Sequence, residues 1–123
     1  MEPNQLVKAH YKTGIYIGRI IEDRGQAYLV EVLAVDKHPQ QGDLHNPGQT
    51  ENVFFHQRKA LSFREKANVP KAAAHHYDDE IPAYETSLKD AVEQLKNKLN
   101  RRETSFNQRA YENVLDLERQ YFR

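Results

Sequence analysis

Four side chains with metal-ligand chemistry fall close together: His38, Asp43 and His45 share one loop, and His56 follows shortly after. A zinc site needs about four N or O ligands converging at roughly 2.0 to 2.2 Å, and three from a loop plus one from a neighbouring segment make up that number. The spacing matches no established ligand motif, and the same residue types in a turn-rich loop hydrogen-bond their own backbone. We therefore assign no metal and no other cofactor. A second group, His75, His76, Asp78, Asp79 and Glu80, reads as a solvated linker, because successive side chains on an extended chain point apart.

Catalytic constellations are equally thin. The chain has no cysteine, which excludes disulfides, thiolate ligands and cysteine nucleophiles. Its serines are Ser62, Ser87 and Ser105, none in a nucleophile elbow. Gly14 and Gly18 in GIYIG lack the third glycine and the lysine that phosphate cradles use. No enzyme is expected. Arg58, Lys59 and Arg64, with Tyr11, Tyr16, Phe54 and Phe55, form a candidate basic and aromatic surface for single-stranded nucleic acid, against which stands the reading of core aromatics with solvated cations. Binding of a partner protein needs the least special chemistry, and His38, Asp43, His45, Arg58 and Tyr16 are the candidate contacts.

The elements that must position these residues are strands first and helices later. Leu6 to Tyr11 is weakly strand-like, and Lys12, Thr13 and Gly14 form a turn with Gly14 as its positive-φ residue. Ile15 to Glu22 resumes the sheet, with a bulge expected at Gly18, where the alternation slips. Asp23 to Gly25 closes a hairpin onto Ala27 to Val35. That strand is apolar on both faces and calls for a second layer, which the C-terminal helices can supply. After the loop from His38 to Gln49, Val53 to His56 and Ala60 to Phe63 read as two short core strands around an Arg58 and Lys59 turn. These strands, within residues 1–66, predict a small SH3-like β-barrel. Residues 67–81 read as a connector.

Residues 82–123 predict an antiparallel helical hairpin, α+β with the barrel and packed on it as one compact unit. Pro82 suits a first helical turn, and Tyr84, Leu88, Ala91, Val92, Leu95 and Leu99 form one apolar stripe. A break at 100–104 is followed by Ser105 and Gln108, a capping box, and by a second stripe from Ala110 to Tyr121.

The chain's 123 residues carry 18 basic and 18 acidic side chains. Residues 1–64 hold 8 basic and 7 acidic, residues 65–123 hold 10 and 11, so neither half offers the basic field of a nucleic-acid binder. No apolar run approaches the ~20 residues of a membrane helix. The expectation is a cytoplasmic protein with no nucleic-acid partner and no direct membrane insertion; a homo-oligomer is left open.

YKTGIYIGRI at 11–20, YLVEVLAVDKHPQQGDLHNPGQTENVFFHQRKALSFREKANVP at 28–70 and YDDEIPAYETSLKDAV at 77–92 together resemble the kinase-associated protein B family of spore-forming bacilli. The likeness runs from about Val7 to Phe122 and is weakest in the last helix. It implies a non-enzymatic regulator that activates or assists a sensor histidine kinase in the sporulation phosphorelay. The family is also called a kinase-associated lipoprotein; with no cysteine to take a lipid, this chain is expected near a membrane only through its kinase partner. The alternative is a small-barrel module that binds nucleic acid or a ligand.

Overall fold

A computed structural model describes residues 1–42, 50 and 55–123. Five antiparallel strands, β1 (Leu6–Tyr11), β2 (Gly14–Asp23), β3 (Ala27–Lys37), β4 (Lys66–Pro70) and β5 (Ala74–His76), form one sheet in the order β4-β3-β2-β1-β5. Two helices follow, α1 (Tyr84–Leu99) and α2 (Ser105–Tyr121). The fold is α+β, as expected.

The sheet must curl. Its two edge strands are joined by one turn of 3₁₀ helix at Lys71–Ala73, so Pro70 and Ala74 stand at most about 14 Å apart. In a flat sheet those edges would lie about 19 Å apart, four strand spacings of roughly 4.8 Å. No ladder joins β4 to β5 among the described residues, so the sheet is a curled, open one rather than a closed barrel. Every strand contributes to the core inside the curl: Val7 and Ala9, Ile20, Tyr28 and Val30, Val69, and Ala74. Burying each of the larger aliphatic side chains contributes about 1.5 to 3 kcal/mol.

The helices cover only part of the expected second face. Along β3, Tyr28 and Val30 belong to the inner core, whereas Val32 and Val35 join Tyr16, Ala60, Leu88, Ala91, Val92 and Val114 in a second cluster. Two cores thus divide the strand along its length. Leu29 and Leu33 stay only half-buried.

The bulge at Gly18 is present. The ladder pairs Ile17 with Ala34 and Gly18 with Val32, leaving Leu33 as the extra residue. A Cβ on Gly18 would lie 2.5 Å from Val30 Cγ1 and 2.7 Å from the Glu31 carbonyl oxygen, so only glycine lets β2 and β3 approach this closely. At the preceding turn the positive φ belongs to Lys12, at 54°, and not to Gly14.

Several local expectations are corrected. Ala60 to Phe63 is not a strand; Ala60 is buried, yet Phe63 is 54% exposed. Phe55 and His56 are likewise outside the sheet, and Val53 and Phe54 lie outside the described residues. The missing edges come instead from β4 and β5, which apart from Lys66 lie in residues read as connector. Finally, α2 is capped by Thr104, whose hydroxyl accepts the Asn107 N–H at 3.0 Å, one residue before the expected Ser105. Pro82 likewise precedes Ala83, the cap of α1.

A candidate partner-binding site at the neck of the His38 loop

Segments 38–42 and 56–61 run beside each other and form a neck between the sheet and the helical hairpin. Gln41 holds it. Its amide nitrogen donates to the Pro39 carbonyl at 3.0 Å and the Arg58 carbonyl at 2.9 Å, and its oxygen accepts the Arg58 N–H at 2.8 Å. Below it the Gly42 N–H donates to the His56 carbonyl at 2.9 Å. Gly42 has φ 103°, and a Cβ there would stand 2.9 Å from Phe106, so both backbone and space call for glycine.

Tyrosine hydroxyls replace a sheet ladder for the second arm. The Ala60 N–H donates to Tyr121 Oη at 2.8 Å and the Leu61 N–H to Tyr16 Oη at 3.3 Å, while Tyr84 Oη donates to the Leu61 carbonyl. This explains how an apolar run that reads as a strand does without the sheet: its backbone groups need partners, and phenols from β2, α1 and α2 supply them. Burial pushes all three phenols above their usual range, Tyr121 to about 12, so they stay protonated near neutral pH. Ser87 ties α1 to β3, accepting the Val35 N–H at 2.9 Å and donating to the Tyr84 carbonyl at 2.7 Å.

His38 is 4% exposed. Its Nδ1 lies 2.9 Å from the Pro39 carbonyl, which can only accept, so Nδ1 carries the proton. Nε2 is then the acceptor for the Tyr121 hydroxyl at 2.9 Å. Burial holds the imidazole below its usual range, opposed by the Pro39 bond.

The sequence-derived contacts are therefore split. Tyr16, 2% exposed, and His38 are interior groups, a correction: both serve to hold the neck. Arg58 is half-buried at the neck with its backbone clamped by Gln41. Asp43 and His45 lie outside the described residues. The basic and aromatic surface is not assembled: Phe55 packs on Phe106 at 5.3 Å beneath Arg109, and Arg64 reaches Glu31 at 3.4 Å. Among the described residues no group of three or more His, Cys, Asp or Glu side chains is placed to hold a metal, and no helix is long and apolar enough to cross a membrane.

Beside the neck a cleft of about 400 Å³ opens between the end of β3 and the last two turns of α1. Lys37, Lys98 and Arg101 line it, with the amides of Gln40, Gln94 and Asn97. Sequence reading missed it because its cations come from elements far apart in the chain. Gln41 and Tyr121 carry the neck without any local motif to mark them; Tyr121 shows only as one residue of an apolar stripe.

The model of the family described as kinase associated protein B matches residues 11–122. The chain is 46% identical over 121 residues to kinase-associated lipoprotein B of Bacillus subtilis (strain 168), covering 98% of this chain and 94% of that protein. It also resembles the crystal structure of kinase-associated protein B from Bacillus cereus, with 36% identity, a TM-score of 0.84, and 98% and 97% of the two chains covered.

Proposed function

The chain belongs to the kinase-associated protein B family, and on that premise we propose that it is a non-enzymatic regulatory protein that activates or assists a sensor histidine kinase in a sporulation phosphorelay. The observation that carries this reading is the extent of the likeness, 46% identity across 98% of the chain, which takes in sheet, neck and hairpin together.

The neck supports a binding role over a catalytic one. Both ring nitrogens of His38 are engaged in holding structure, and the three phenols are held protonated, so none of these groups is poised to move a proton near neutral pH. The partner contact in this reading lies on Asp43, His45 and Arg58, with His38 and Tyr16 positioning the neck that carries them. In this reading the protein works in the cytoplasm, brought near a membrane by its kinase.

The test is reconstitution. Purified chain added to a purified sporulation sensor kinase is expected to raise the kinase's rate of autophosphorylation and to be retained by it in a pull-down. A kinase indifferent to the protein in both measurements would overturn the proposal.

A further inference from the structure

We propose that the cleft formed by Lys37, Lys98 and Arg101 is a docking site for an acidic, Asp- and Glu-bearing segment of the partner protein; this deepens the kinase-binding reading and rests on it for the identity of the partner only.

Most basic side chains elsewhere in this neutral chain are already matched. Lys8, Arg19, Arg24, Arg64, Lys71, Lys89, Lys96 and Arg119 face carboxylates within 4 Å, and Lys12, Lys59 and Arg109 lie over aromatic rings. Among the described residues Lys37, Lys98 and Arg101 have no carboxylate partner, and none lines the cleft they share. Three like charges around one concavity repel each other in the free protein, and an incoming anion relieves that repulsion. The larger concavity of about 700 Å³ at the interhelical turn lacks this property, since Arg102 there is accompanied by Glu103.

A plainer explanation covers part of the cluster. Lys98 and Arg101 lie at the C-terminal end of α1, where cations complement the helix dipole. It does not explain Lys37, which comes from the end of β3, and the Lys96 and Lys98 carbonyls at that terminus accept the backbone N–H groups of Asn100 and Arg101.

The lining also selects among anions. Gln40, Gln94 and Asn97 add amide donors suited to carboxylates and peptide carbonyls. Single-stranded nucleic acid calls for exposed aromatic platforms, and among the described residues no Phe, Tyr or Trp lines this cleft. A volume of about 400 Å³ accommodates a few side chains rather than a duplex. His38 lines the cleft and joins it to the neck, so a segment bound here lies beside the neck.

Two arms test the site with the full chain. In the first, a Glu- and Asp-rich decapeptide is titrated while backbone amide shifts are followed, with an oligonucleotide of equal charge as the comparison. Shifts centred on Lys37, Gln40, Gln94, Asn97, Lys98 and Arg101 are expected, with affinity falling as salt rises and about 10-fold weaker in a Lys98→Glu, Arg101→Glu variant. The neutral Lys98→Gln, Arg101→Gln pair, which avoids placing acids at a helix C-terminus, is expected to lose a smaller part of the affinity. Shifts elsewhere or none, affinities unchanged in both variants, or tighter binding of the oligonucleotide would overturn the proposal. In the second arm the same variants are used to capture the kinase. Undiminished capture overturns this site while leaving the proposed function standing; wild type that captures no kinase contradicts the proposed function, and the peptide arm then decides the site alone.

Discussion

The Tyr121 hydroxyl joins two backbone segments through one oxygen: it donates to His38 Nε2 at 2.9 Å and accepts the Ala60 N–H at 2.8 Å. The C-terminal end of α2 is thereby tied to both arms of the neck. Tyr121→Phe keeps the ring but leaves a buried acceptor on His38 and a donor on Ala60 without partners. We expect a loss of about 1 to 3 kcal/mol, read from the urea midpoint at constant slope, with faster hydrogen exchange at the Ala60 amide.

Stability will also depend on pH through His38. Burial lowers its pKa in the folded state below the ordinary 6.5, so between the two values the unfolded chain binds more protons than the folded one. Stability is therefore fully present above about pH 6.5 and declines as pH falls through the folded-state value. In urea titrations across that window the wild type should weaken more steeply than His38→Gln. Identical slopes would remove His38 from the explanation.

Gln41→Ala removes three hydrogen bonds at once and strands the Arg58 N–H. A cost of about 2 kcal/mol is expected, with the Arg58 amide exchanging faster while amides of β1 and β2 keep their protection. A uniform change across all strands would mean that the neck is not a separate unit.

Gly18→Ala drives a methyl group to 2.5 Å from Val30 Cγ1 and 2.7 Å from the Glu31 carbonyl. Backbone must move to admit it, so a loss of about 1 to 3 kcal/mol is expected, whereas Gly25→Ala meets no neighbour within 4 Å and is strained only by its φ of 86°. Paired thermal melts of the two variants separate crowding from backbone conformation.

Pattern made the central strands and both helices legible: Tyr28 to Val35 is apolar apart from Glu31, and Leu88, Ala91, Val92 and Leu95 repeat at helical spacing. It failed at the edges. β4 and β5 are short, and exposed Lys66, Asn68, Pro70, His75 and His76 make up most of their residues, so little apolar signal remains to announce a strand. The run at Ala60 and Leu61 failed in the opposite sense, because apolar pattern reports burial and says nothing about whether a ladder or a phenol satisfies the backbone. At the site, His38 was visible as a residue type, but its burial depends on Tyr121 at the far end of the chain. The Lys37, Lys98 and Arg101 cluster has no local sequence signal at all.

Direct binding between the purified full chain and the purified soluble part of a sporulation sensor kinase tests the central claim most directly. Saturable binding that weakens as salt rises, accompanied by faster autophosphorylation of the kinase, is the expected result. Absence of binding and of any change in autophosphorylation across the sporulation sensor kinases of the host would contradict it.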